Sequence, residues 1–164
     1  MVFAEATIIT DRNDKELYKL FDQNRSYIAY DQISPMMINA IIATEDQRYW
    51  EHNGLDAMGI IRAALKTSAG SLQGASTIPQ QLVTNLLLYR GKTFGEKVVR
   101  KLKEFVLTTR LDSVLENQIR TANKSLSDEQ LRTKMKEMIL ELYLNYIFLG
   151  NNAYGVEVAA QTYF

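Results

Sequence analysis

The sequence predicts a mainly α domain with a small β element at its N-terminus. Three observations carry that reading. From residue 34 onward, apolar residues recur at three- and four-residue spacing between capping residues and Pro or Gly stops. The first thirty residues instead alternate β-prone runs with turn chemistry. At 164 residues, 46% hydrophobic and 23% charged, the chain is long and apolar enough to bury one core and too apolar for disorder.

In chain order, Ala6 to Thr10 is β-prone, Asp11 to Lys15 supplies a turn, and Leu17 to Phe21 returns as a second strand. Tyr27 to Tyr30 reads as a third short strand. Ser34-Pro35 is a cap followed by proline at the first helical position, opening a helix from Met36 to about Glu51. Asp56 caps a second helix through Leu65 that ends near Gly70. Ser76 or Thr77 caps a third, with Pro79 in its first turn and Leu82, Leu86 and Tyr89 on one side. Gly91 to Gly95 is a break, after which Val98, Leu102, Phe105 and Thr109 mark a fourth helix. The polar stretch 117–127 reads as a loop. Ser127 and Gln130 form a capping box for a long helix carrying Leu131, Met135, Met138, Leu142 and Leu149, with Tyr143, Tyr146 and Phe148 as core positions. Gly150-Asn151-Asn152 stops it, and a last helix starts near Gly155.

The charge balance is nineteen Lys+Arg against nineteen Asp+Glu, so the chain is no generic nucleic-acid binder. Without cysteine there is no disulfide, thiolate zinc site or cysteine nucleophile, and with His52 as the single histidine no multi-histidine metal site. No run approaches the roughly 18 apolar residues of a membrane span, and the first residues lack the charged and apolar regions of a signal peptide.

Two carboxylates stand out. Glu45 follows Ile38, Ile41 and Ile42 on one helical stripe, with Tyr49 a turn further. A carboxylate in line with an apolar stripe is short of water, which raises its pKa and suits a general base. The bland alternative is a helix that surfaces at residue 44 and leaves Glu45 solvated. Glu104 lies four residues after Arg100 and three after Lys101, so both cations share its helix face. That pattern fits a phosphate or pyrophosphate held beside an acid. It equally fits a solvated face of ion pairs worth about 0.2–0.5 kcal/mol each. Between these, Gly74 to Gln81 offers hydroxyls and backbone N–H groups at a helix start, an anion cradle without the Gly-Lys-Ser/Thr of a phosphate-binding loop. His52 fits a hydrogen bond that fixes its loop better than a metal.

These stretches together resemble the glycosyltransferase family 51 domain, the peptidoglycan glycosyltransferase of penicillin-binding proteins. EDQRYWEHNGLD at 45–56 is similar to the family's first motif, GASTIPQQL at 74–82 to its second and RKLKE at 100–104 to its third. ILELYLNYIFLG at 139–150 and AYGVEVAAQTYF at 153–164 resemble the fourth and fifth. Pro79 replaces the family's usual threonine, Thr84 its usual lysine, and Lys92 is a candidate substitute cation on the longer run to Arg100. The stretch 117–127 looks longer than the family's.

The resemblance implies a lysozyme-like, two-lobed helical fold, with residues 1–33 as an N-terminal extended or β segment and 34–164 as a glycosyltransferase domain cut short within its last motif. It implies polymerisation of lipid II into β-1,4-linked glycan, with inversion and release of undecaprenyl pyrophosphate. Glu45 would be the base, Asp46 its support and Glu104 the second catalytic carboxylate. Ser76, Thr77, Gln80, Gln81, Lys92, Arg100, Lys101 and His52 would line or shape the substrate cleft. Gly54, Glu141, Tyr143, Asn145 and Gly155 would brace it. No cofactor is required, although a divalent cation, Mg or Mn, is compatible with the pyrophosphate. The expected partners are lipid II, the growing glycan and the membrane surface, with no nucleic acid, and with a transpeptidase domain in the parent chain also open. The membrane contact would be the apolar stripe of Ile60, Ile61, Ala64 and Leu65 within 55–73. The expected location is the outer face of the bacterial cytoplasmic membrane, through an N-terminal anchor not in this sequence. A lysozyme-like muramidase and an inactive glycan- or lipid II-binding domain are the rival readings.

Overall fold

A computed structural model describes residues 7–20, 24–59, 76–87 and 93–164. Its elements run β1 (Thr7–Thr10), β2 (Glu16–Leu20), β3 (Asn24–Arg25), a 3-10 turn (Tyr30–Gln32), α1 (Pro35–Glu45), α2 (Ile78–Leu87), α3 (Phe94–Ala122), α4 (Asp128–Tyr146), β4 (Ala153–Tyr154) and α5 (Val156–Tyr163). The fold is mainly α, as the periodicity predicts.

The N-terminal hairpin forms because Asp11 holds its turn: the Asp11 carboxylate accepts from the backbone N–H groups of Asn13 and Lys15 at 2.7 and 3.0 Å. β1 and β2 pair antiparallel, Thr7 opposite Leu20 and Ile9 opposite Tyr18. The predicted third strand is not at Tyr27 to Tyr30. The strand is Asn24–Arg25, paired parallel with Ala153–Tyr154. At Ile28 and Tyr30, α4 side chains take the place of a strand partner. Asn145 accepts from the Ile28 N–H at 2.9 Å and donates to its carbonyl at 2.8 Å, and Glu141 accepts from the Tyr30 N–H at 2.8 Å.

Helix α1 ends six residues before the predicted Glu51. Asp46 leaves helical geometry at φ −158° and ψ 73°, and residues 47–50 turn. The Asp56 cap is present, its carboxylate accepting from the Gly59 N–H at 2.9 Å over helical residues 57–59. The remainder of that helix, with the expected membrane stripe at 60–65, lies outside the described residues, as do Tyr89 and Lys92.

The largest correction concerns 117–127. α3 runs through to Ala122, and only 123–127 connect it to α4. Leu115 and Ile119 stay buried on the inner face, and Glu116 and Arg120 pair at 2.9 Å one turn apart on the outer face. The polar run is therefore a helix's solvent side. The Thr93–Glu96 and Ser127–Gln130 capping boxes start α3 and α4. α4 stops at Tyr146 rather than Leu149, so Phe148 is not helical; it bridges to Tyr154, the ring centroids 4.9 Å apart.

α4 is the central element. Its Ile139, Leu140, Tyr143 and Leu144 meet Ile38 and Ile42 of α1, Ile78 and Leu82 of α2, Leu115 of α3, Val156 of α5, and Tyr49 from the turn after α1. The end of α1, the start of α2 and the first half of α3 are thereby fixed against one scaffold.

Candidate active site

Glu45 is the last residue of α1 and is exposed. Ile38 and Ile42 take the apolar stripe into the core, and Glu45 turns out of it as the helix ends. The desolvation argument for this carboxylate therefore does not hold, and the surfacing alternative does. What holds Glu45 is a hydrogen bond: Gln81 Nε2 donates to its Oε2 at 2.9 Å. Gln81 is in turn held at its other amide atom, Oε1, by the Tyr143 hydroxyl at 3.0 Å. Burial and the nearby Glu45 carboxylate push the Tyr143 phenol well above its ordinary range, so it stays a donor.

Asp46, next along the chain, is buried and works in the opposite sense. Its Oδ2 accepts from the backbone N–H of Ile78, the first residue of α2, at 3.0 Å, where the helix dipole favours an anion. His52 Nε2 lies 2.9 Å from both Asp46 oxygens and donates to the carboxylate. Asp46 thus ties the end of α1 to the start of α2 and fixes the intervening loop. His52 Nδ1 is buried without a hydrogen-bond partner among the described residues.

The start of α2 is a buried cap. The Thr77 hydroxyl donates to the Gly54 carbonyl at 2.6 Å, and the Thr77 N–H donates to Gln80 Oε1 at 2.9 Å. Thr77 and Gln80 are 2% and 4% exposed, so they face inward rather than toward a cleft. Of the second-motif residues, Ser76 and Gln81 reach the open side.

There, Ser76, Gln81, Thr84, Asn85, Arg100, Lys101 and Glu104 line a cavity of ≈ 160 Å³. Glu104, 2% exposed, forms its floor. Lys101 Nζ bonds its Oε1, Arg100 Nη1 lies 3.5 Å from its Oε2, and the Thr84 hydroxyl donates to Oε2 at 2.8 Å. Lys101 also donates to the Ser76 hydroxyl at 3.0 Å and is half exposed at its side chain, so its charge faces the opening. The predicted cations and acid do converge. Gln81 belongs to this wall and also holds Glu45, so one side chain links Glu45 to the cavity of Glu104.

The predicted bracing residues hold the scaffold. Glu141 accepts from the Tyr27 hydroxyl as well as the Tyr30 N–H. Gly54 has φ +72°, and a Cβ there would lie 2.6 Å from Asp112 Oδ2. Gly155 has φ +88°, and a Cβ there would lie 2.8 Å from the Asn145 carbonyl oxygen.

Sequence reasoning missed the role of Thr84, treated only as a missing lysine, and missed Lys136 and Asp112 altogether. Thr84 had a signal, since it lies one turn after Gln80 and Gln81 on the same side of α2. Lys136 had none, because a lysine inside a helix reads as solvent-facing. Around Glu104 the donor set does not suit a protein-bound divalent cation: two cations and a hydroxyl already occupy the carboxylate, and no group of three His, Asp or Glu gathers among the described residues.

The transglycosylase family profile matches residues 13–164. A penicillin-binding protein 1A of Escherichia coli is 44% identical over 154 residues, 92% of this chain and 15% of that protein. Its namesake from Aquifex aeolicus is 43% identical over 144 residues, 87% of this chain and 17% of that protein. Penicillin-binding protein 1F of Bacillus subtilis is 31% identical over 166 residues, 100% of this chain and 20% of that protein. The chain therefore spans between 15% and 20% of the length of these relatives. With a family profile running from the N-terminal hairpin to the last residue, the chain belongs to the transglycosylase family.

Proposed function

We propose that the chain is a peptidoglycan glycosyltransferase that joins lipid II units into β-1,4-linked glycan. The single observation that carries this is Gln81, which holds Glu45 at 2.9 Å while lining the cavity of Glu104, Arg100 and Lys101. Glu45, exposed and with one amide donor, is free to take the proton from the 4-hydroxyl of the acceptor's N-acetylglucosamine. That oxygen attacks the anomeric carbon of the donor, the bond to the pyrophosphate breaks on the opposite face, and the electron pair leaves with undecaprenyl pyrophosphate. One in-line displacement inverts the centre. Lys101 and Arg100 receive the departing charge, and Glu104 with Ser76 fixes where Lys101 points. Thr84 adds a hydroxyl where the family usually has a cation. A Mg or Mn ion, if one takes part, would come with the pyrophosphate oxygens, since no group of three His, Asp or Glu gathers among the described residues.

The lipid tail of such a substrate places the reaction at a membrane surface, at the outer face of the cytoplasmic membrane. Supporting this, the first turns of α3 expose Phe94, Val98, Leu102 and Phe105 along one side, with Lys97 and Lys101 bordering it toward the cleft and Lys103 bordering the other flank. No helix among the described residues is long and apolar enough to cross a membrane. A transpeptidase domain in the parent chain accords with the small share of the penicillin-binding relatives that this chain spans.

The test is incubation with fluorescently labelled lipid II and, separately, with finished uncrosslinked glycan. Polymer from the first and no cleavage of the second is the expected result. Cleavage of the glycan would make the protein a muramidase, and binding of lipid II without product would make it a binding domain.

A further inference from the structure

The buried lysine on α4 is unused by the reaction just described, yet it sits behind the site. Lys136 is 4% exposed. Its Nζ donates to the Tyr49 carbonyl at 2.6 Å and lies 4.3 Å from the centre of the Tyr49 ring. The Tyr49 hydroxyl donates back to the Lys136 carbonyl at 2.7 Å. Tyr49 is fully buried, and its N–H closes on the Asp46 carbonyl at 2.9 Å. The turn that follows the base is therefore clamped to α4 through one side chain from each partner. Two turns further along the same helix, Tyr143 holds Gln81 and, through it, Glu45.

We infer that Lys136 is a positioning residue for the base: its ammonium fixes the 46–52 turn, Asp46 passes that position to the start of α2 through the Ile78 N–H, and Gln81 then meets Glu45 in register. This rests on the reading of Glu45 as the base. Lys136 does not touch substrate. The route runs through hydrogen bonds of 2.6 to 3.0 Å, joined between Ile78 and Gln81 by the first turn of α2.

The Lys136 ammonium has charged neighbours on three elements. Burial lowers the Lys136 pKa to about 8, while Asp46 from the turn and Asp112 from α3 favour the ammonium and Arg132 on its own helix opposes it. Asp112 is partly buried, and burial raises its carboxyl pKa against the pull of Lys136 and His52. Both Lys136 and Asp112 border a cavity of ≈ 440 Å³ that also reaches Gly54, so protons can exchange with solvent. Loss of the Lys136 proton leaves an amine that still donates to Tyr49 but no longer balances Asp46 and Asp112.

The experiment compares the intact protein with Lys136→Met and Lys136→Arg. Methionine fills a similar volume without a charge, so a variant that merely loses packing is not the expectation. In labelled lipid II polymerisation, Lys136→Met should lower kcat by about 10²-fold, the cost of a small misplacement of a catalytic group, with KM within about twofold. Its melting midpoint should change by only a few degrees, since relief of the buried charge and loss of the donor to the Tyr49 carbonyl act in opposite directions. Lys136→Arg should recover part of kcat. In amide exchange, Lys136→Met should speed exchange at Tyr49 and Ile78 and leave Leu140 and Leu144 protected. A kcat within twofold of wild type, or a fall in melting midpoint parallel to the fall in kcat, or unchanged protection at Ile78, overturns the inference. An inert wild type would defeat the polymerase reading alone, since amide exchange decides the positioning role without turnover.

Discussion

The two candidate carboxylates are built in opposite ways. Glu104 is sunk to 2% exposure, with two cations and a hydroxyl on its oxygens, whereas Glu45 stands exposed at a helix end with one amide donor. A carboxylate already committed to Lys101 and Arg100 is a good anchor for cations. One held only by Gln81 can take a proton without breaking an ion pair. In the proposed reaction the difference divides the work: acid–base chemistry at residue 45, charge reception around residue 104.

Substitution by the isosteric amide should break that comparison most sharply. Glu45→Gln should lower kcat by about 10²–10⁴-fold, the usual contribution of a positioned base, while the melting midpoint and helical spectrum stay at the wild-type value. Glu104→Gln should behave differently. Its amide NH₂ would face the Lys101 ammonium, donor against donor in a buried pocket, at a cost of about 1–3 kcal/mol. For a domain of this size each kcal/mol moves the midpoint by roughly 2–4 °C, so Glu104→Gln should melt several degrees lower. Calorimetry on both variants checks the contrast. Equal midpoints would mean that Glu104 is no more embedded than Glu45.

Lys136 sharpens the same comparison through pH. Folding lowers its pKa from 10.5 to about 8. The unfolded chain therefore binds more protons between those values, and stability from this group rises as pH rises through that window. Below about pH 8 the buried charge is a cost on the order of 3 kcal/mol. The melting midpoint of the wild type relative to Lys136→Met should accordingly climb from pH 8 to 10, while kcat falls over the same range. A buried group that costs stability where activity is highest is one whose charge serves the site. If the difference between wild type and variant is flat in pH, Lys136 is not titrating in that window.

Much of this was legible in the sequence, and the exceptions have physical reasons. The caps at Ser127 and Asp56 lie where local chemistry decides the geometry, and the sequence shows them; the Thr93 cap inside the 91–95 break and the end of α4 at Tyr146, short of Gly150, are not legible in it. The helix through 117–122 was not legible from polarity. Leu115 and Ile119 carry its inner face with too few apolar positions to reveal the period, while Glu116 and Arg120 belong to its outer face. The end of α1 was misplaced because Asp46 stops it through partners 6 and 32 residues further along the chain, His52 and Ile78. Within the site, Arg100, Lys101 and Glu104 converge because all three lie on one helix face. Thr77 and Gln80 were assigned to the cleft, yet the cap turns them inward, a distinction that depends on Gly54 approaching from another segment.

Thr84 gives the smallest expected effect and the finest test. Its hydroxyl donates to Glu104 Oε2 at 2.8 Å from the facing helix, the one neutral donor among the three groups on that carboxylate. Thr84→Val keeps the shape and removes the donor. Since Glu104 retains Lys101 and Arg100, the loss should be about 1–2 kcal/mol, read as a midpoint lower by a few degrees. Turnover should fall only a few-fold, because Lys101 and Arg100, the cations proposed to receive the pyrophosphate, are untouched. A fall as deep as that of Glu45→Gln would show that the hydroxyl acts on substrate rather than on Glu104. It would move Thr84 from the anchored side of the site to the reacting side.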